Sequence, residues 1–106
     1  MKTSELTGAA LDWAVAKCEG VLSYDDDRLC FVTEHGQDFE PSADWAQGGP
    51  IIERWMIQIK ENGYGYWFAK IGKGKFMRGQ TPLIAAMRCY VISKLGDNID
   101  IPEGLT

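Results

Sequence analysis

The residues best suited to hold a ligand fall in one short segment: Asp44, Trp45, Gly48 and Gly49, followed by Pro50. An acidic acceptor, an indole and backbone left bare by two glycines can together hold a planar or sugar-bearing group. Arg88, far along the chain, is the cation that could pair with Asp44 or with an anionic ligand. The same residues also read as structure, with Asp44 capping a helix, Trp45 filling core and the glycines making a turn. His35 is the single histidine, with Glu34, Asp38 and Glu40 close to it in sequence. An enzyme acting through Asp44, His35 and Arg88 is therefore an alternative, and it needs those side chains to converge on one pocket. A lone histidine in a polar loop is more often simply exposed.

Spacing argues against other chemistries. Cys18, Cys30 and Cys89 are odd in number and widely separated, with no CxxC pair and no zinc-knuckle spacing, so they read as free, mostly buried thiols. Cys89 lies mid-helix beside Arg88, where neighbouring side chains diverge, and reads as a packed thiol rather than a nucleophile. One histidine with scattered carboxylates predicts no metal site, and nothing predicts a cofactor. The stretch KIGKGK starting at Lys70 lacks the GxxxxGK[ST] order of a P-loop, and neither GxSxG nor GxGxxG occurs.

The net charge of −4 and pI near 4.9 speak against a phosphate-backbone binder and make nucleic acid an unlikely partner. Lys70, Lys73, Lys75 and Arg78 are the exception. Set among Gly72, Gly74 and Gly79, they read as a flexible, solvated loop. No stretch approaches the ~18 apolar residues of a membrane span. The opening MKTSELTG lacks the apolar core of a signal peptide. The expected location is the cytoplasm.

The elements that must position these residues follow from periodicity. At 106 residues, 45% of them hydrophobic, the chain is the size of one domain, 1–106, that needs no disulfide or metal to fold. The first helix should start near Thr7, bury Ala10, Leu11, Ala14, Val15 and Cys18, and stop at Gly20. Residues 29–33 form a possible strand, and 34–42 read as loop. One irregular helix is expected over roughly 44–55, with Pro50 at the first position of a turn. The clearest β signal is a hairpin, about 56–60 and 65–71, around Asn62-Gly63. A two-residue turn there pairs Lys60 with Gly65, Ile59 with Tyr66 and Ile57 with Phe68. Large apolar groups then fall on both faces, so helices are expected on both sides of the sheet. The last helix runs over 81–95, capped by Thr81, with Pro82 in its first turn, a stripe of Ile84, Met87, Val91 and Leu95, and Gly96 as its stop. The fold class is α+β, a small antiparallel sheet with N-terminal and C-terminal helices, α/β/α sandwich-like.

Three strings add a resemblance: ELTGAALDWAVAK from Glu5, SADWAQGGPIIER from Ser42 and TPLIAAMRCYV from Thr81. Together they resemble the NinX-like family of small bacteriophage and prophage proteins, over about residues 5–102. The later two are also similar to a broader group of phage α/β/α sandwich domains with a Ser-Thr-Asp loop. Ala43 stands where that group carries Thr, and Gln80 where Pro is more usual. The resemblance implies a fold and a phage source, and no reaction.

The leading functional expectation is a non-enzymatic binding module that modulates a host process. It would engage a host protein or a small anionic, nucleotide-like ligand through Asp44, Trp45, Gly48, Gly49 and Arg88. The alternatives are the enzyme above and a structural protein that self-associates through the aromatic hairpin.

Overall fold

The computed structural model describes residues 1–21, 23–25, 30–33 and 36–105. Glu34 and His35, with Leu29 of the expected strand, lie outside them. Helix α1, Gly8–Glu19, follows Thr7 and ends at Gly20, whose φ of 71° is the left-handed stop that glycine allows. Ala10, Leu11, Ala14 and Val15 are buried on it as expected. Strands β1, Tyr24–Asp25, and β2, Cys30–Phe31, form a two-stranded antiparallel sheet of their own. Helix α2, Trp45–Arg54, runs unbroken through Pro50, so that proline does not start a new turn.

Strands β3, Gln58–Glu61, β4, Trp67–Lys70, and β5, Met77–Gly79, make a second, antiparallel sheet in the order β3-β4-β5. Helix α3, Pro82–Leu95, begins where Thr81 Oγ1 accepts the Ile84 N–H at 3.1 Å. The α+β class expected from the sequence is what the chain adopts.

The hairpin register differs from the expected one. Lys60 faces Phe68, Ile59 faces Ala69 and Glu61 faces Trp67. The turn is wider than two residues. Asn62 Oδ1 accepts from both Tyr64 N and Tyr66 N, and Gly63 and Gly65, not Asn62, take positive φ. The three-residue shift is odd, so it exchanges faces on β4. Ile59, Trp67, Ala69, Met77 and Gly79 share one face. Tyr66, Phe68, Lys70, Phe76 and Arg78 share the other.

Helix α3 is the centre of the molecule. The β3-β4-β5 sheet packs on it, as do α1, α2 and the turn at Thr3–Glu5. Its burial is not a stripe. Leu83, Ala85, Ala86, Met87, Cys89, Tyr90 and Val91 are all buried, while Leu95, the expected end of the stripe, is 43% exposed. A helix enclosed on several sides is apolar nearly all round. Because α1 and α2 pack on α3, helices do not cover both faces of the sheet, contrary to expectation.

Two further ties close the structure. Glu19 Oε2 accepts from Tyr90 Oη and from Arg54 Nη2, each at 2.5 Å, which joins the ends of α1 and α2 to α3. Burial alone would push the Glu19 carboxyl up, but those hydrogen bonds and the charges of Arg54 and Lys94 hold it below the usual range. Burial and the Glu19 carboxylate push Tyr90 up to about 12. The chain's start pairs with the segment after α3: Met1 N and Ile99 N each donate to the other's carbonyl at 2.9 Å, and Thr3 Oγ1 donates to Gly96 O at 2.6 Å.

The join of β5 to α3 leaves no room at Gly79. A Cβ there would lie 2.4 Å from Ala85 N and 2.8 Å from Ala85 Cα, both backbone atoms. Gly79→Ala should therefore lower the unfolding free energy in urea by roughly 3 kcal/mol. A loss below about 0.5 kcal/mol, the level of an ordinary surface change, would contradict this packing.

Candidate functional site

Asp44 caps α2, its Oδ1 accepting the Ala46 N–H at 2.8 Å. Trp45 is not core but 54% exposed. Gly48 and Gly49 lie inside α2, not in a turn. Gly48 is required by contact: a Cβ would meet the Pro41 carbonyl oxygen at 2.5 Å and Leu83 Cδ2 at 2.6 Å. Gly49 lies beside the Trp45 ring. Arg88 reaches away from Asp44. Its Nε donates to Leu6 O and its Nη1 to Arg78 O, both at 2.7 Å. Burial, then the charge of Arg78, lowers its pKa. The guanidinium thus fastens α3 to the segment before α1 and to β5. Asp44, Trp45, Gly48 and Gly49 are brought together on α2, and Arg88 does not join them.

The loop in front of α2 is held from both sides. Gln47 Oε1 accepts from Glu40 N at 2.6 Å, and its Nε2 donates to Asp38 O at 2.9 Å. From α1, Asp12 Oδ1 accepts the Ser42 N–H at 2.8 Å. Pro41 and Ser42 are buried. Between this loop and α1 lies a cleft of about 240 Å³, lined by Asp12, Trp13, Phe31, Phe39, Ser42 and Ala43 among others. Its walls are mostly apolar and its fixed polar feature is Asp12. Burial pushes that carboxyl up to about 6, with the Glu40 charge helping and hydrogen bonds from Ser42 opposing. At the rim Lys17 Nζ lies 5.1 Å from the Trp13 ring and 5.9 Å from Phe31.

Asp12 and Trp13 are the residues the sequence reading missed. In sequence Asp12 looks like a solvated position on an amphipathic helix, and only its tertiary partner, Ser42 N, sets it apart. The available signal was that both residues sit in one of the strings that carry the family resemblance and Ser42 opens another.

Other reactive groups are muted. Burial, followed by the Glu19 charge, pushes the Cys18 thiol up to about 11, and burial raises Cys89. Both are free thiols with little thiolate at neutral pH. Among the described residues no three His, Cys, Asp or Glu side chains converge on a metal position. Among them, too, no helix is long and apolar enough to cross a membrane.

Separate roles for Asp44 and Arg88 make their effects additive. Asp44→Ala should cost about 1 kcal/mol as a lost cap, and Arg88→Ala about 2 kcal/mol, since the part-buried Leu6 carbonyl and the exposed Arg78 carbonyl lose a charged donor. The double variant should equal the sum within about 0.5 kcal/mol. A coupling above about 1 kcal/mol would mean that the two side chains interact.

Asp12 gives a pH signature. Its proton is held more tightly in the folded chain than at the ordinary 3.8. This group therefore favours folding below about pH 4, and that contribution is lost as the pH rises through about 6. Asp12→Asn keeps an acceptor for Ser42 but cannot ionise. It should gain on the order of 3 kcal/mol relative to the parent as the pH rises through this window. Carbon-13 NMR of the Asp12 carboxyl should show a midpoint near 6. A midpoint at the ordinary value would refute its burial.

The recurrent strings meet at these contacts: Asp12 on Ser42, Gly48 against Leu83, and Arg88 on the Leu6 carbonyl. No curated protein matches the chain. The profile of the family described as Bacteriophage P22, NinX matches residues 2–94, which spans all three strings, and the chain belongs to that family of small phage-encoded proteins.

Proposed function

We propose that the chain is a non-enzymatic binding module that a phage uses inside the host cell to modulate a host process by docking a host protein. The observations that carry this reading are a cleft whose wall is already fixed, lined by Ala43, and an exposed indole, Trp45, two residues further along the chain. Trp45 is 54% exposed, and the loop just before it is tied down through Asp12 and Gln47. Exposed tryptophans beside preformed pockets are common anchors of protein interfaces, and a rigid loop lowers the entropy lost on binding. The cleft, at about 240 Å³, falls below the ~300–1,000 Å³ of small-molecule sites. It suits one inserted side chain. Asp12 and Glu40 favour a group that donates hydrogen bonds, such as a lysine, an arginine or an amide. They disfavour an anionic ligand at this position.

The test is affinity capture from host lysate, quantified by mass spectrometry, with the parent chain, Trp45→Ala and Ala9→Arg. Ala9 is exposed and lines the cleft, so arginine there obstructs the mouth without entering the core. A specific partner should be held by the parent and depleted by an order of magnitude in each variant, as loss of a hot spot implies. Equal capture by all three, or no specific partner, would refute the reading.

A further inference from the structure

The second face of the β3-β4-β5 sheet is built from alternating cations and aromatic rings. Register and alternation place Gln58 and Lys60, then Tyr66, Phe68 and Lys70, then Phe76 and Arg78 on it. Gln58, Lys60, Tyr66, Phe76 and Arg78 are exposed, with Tyr66 at 40% and Phe76 at 51%. The cations lie against the rings: Lys70 Nζ is 4.8 Å from the Phe76 centroid, and the Arg78 guanidinium carbon is 4.7 Å from that of Tyr66. Phe68 and Phe76 meet edge to face at 6.0 Å. A concavity of about 370 Å³ opens among Lys60, Glu61, Asn62, Phe68 and Phe76.

Charge on this unit runs against that of the whole chain. Residues 58–79 hold five of the eleven cations and only one of the fifteen carboxylates. That carboxylate, Glu61, falls on the opposite face by register but lies at the edge of the concavity, where its Oε1 accepts the Gly63 N–H. The loop between β4 and β5 adds Lys73 and Lys75, both exposed.

We propose that this sheet face binds single-stranded nucleic acid. Exposed rings that lie against flexible cations can take a base in stacking, and the displaced lysine or arginine then turns to a phosphate. Charge complementarity selects a polyanion, and the exposed rings select one with unpaired bases. A duplex hides its base faces within the stack and leaves the exposed rings nothing to stack on. Stacking reads no particular base, so binding is weakly sequence-selective. DNA and RNA strands share this chemistry. The surface shares no lining residue with the Asp12 cleft, so the two assignments fail independently.

The test is fluorescence anisotropy at low and moderate salt. The probes are fluorescein-labelled strands of about 12 nucleotides, DNA and RNA of one mixed sequence, and the matching DNA duplex. Single strands should bind more tightly than duplex, with affinity falling as salt rises at a log–log slope of about −2 or steeper. Tyr66→Ala with Phe76→Ala should weaken binding about tenfold or more. Lys70→Gln with Arg78→Gln should flatten the slope by about 0.7 per charge removed. This charge pair leaves the rings in place and carries the test if the aromatic pair does not fold by circular dichroism. A preference between the DNA and RNA strands identifies the source. Three results would each overturn the proposal: no binding of any strand, duplex binding as tight as single-strand binding and unaffected by the aromatic pair, or self-association through these rings with no strand bound.

Discussion

The Arg88 guanidinium holds two carbonyl oxygens, Leu6 on one side of α3 and Arg78 on the other. Much of the remaining structure depends on that clamp. Leu6 O belongs to the segment that leads into α1, and Arg78 O to the last strand of the sheet. One charged group therefore sets the positions of the helical layer and the strand layer relative to the helix between them. A charge this engaged is difficult to recruit for a ligand, and removing it would leave two carbonyls without their charged donor. The small residues around it act in the same direction. Gly79 lets β5 approach Ala85, and Gly48 lets α2 approach Pro41 and Leu83.

The one-sided layering has a direct consequence for function. Because α1 and α2 stack on α3, the sheet has a covered face and an open one. The open face carries the basic, aromatic part of an acidic chain. Net charge describes the average, whereas a ligand meets a surface, and these differ here in sign. The helical side offers a different surface, in which Asp12 and the loop held by Gln47 form a cleft. Two surfaces of unlike chemistry lie on opposite sides of one buried helix.

The helices were legible because their signals are local. Thr81, Pro82 and Gly96 bracket α3, Gly20 ends α1, and Asp44 caps α2. What α3 touches was not legible, since a helix buried all round has no stripe to read. The hairpin was found but its register was not. Asn62-Gly63 fits a two-residue turn, yet the Asn62 side chain captures two later N–H groups and widens the loop. That shift moved Tyr66 and Phe68 off the face they were expected to share with Ile59 and onto the open one. Strand β5 was hidden by the glycines and lysines before it, which read as loop. The pairing of Met1 with Ile99 joins positions too distant in sequence for any local pattern to report. At the candidate site, the Asp44 cap was foreseen as one of two readings. Asp12 was not, because its distinguishing partner arrives from another element.

One-sided cover of the sheet is most directly tested by hydroxyl-radical footprinting of the monomeric chain, with oxidation read residue by residue by mass spectrometry. Rapid oxidation of Tyr66 and Phe76, with Met77, Met87 and Tyr90 protected until the chain unfolds, is the expected result, since the first two are exposed and the others buried. Protection of Tyr66 and Phe76 to the level of Tyr90 would mean that the second face is covered, and would contradict the layering described above.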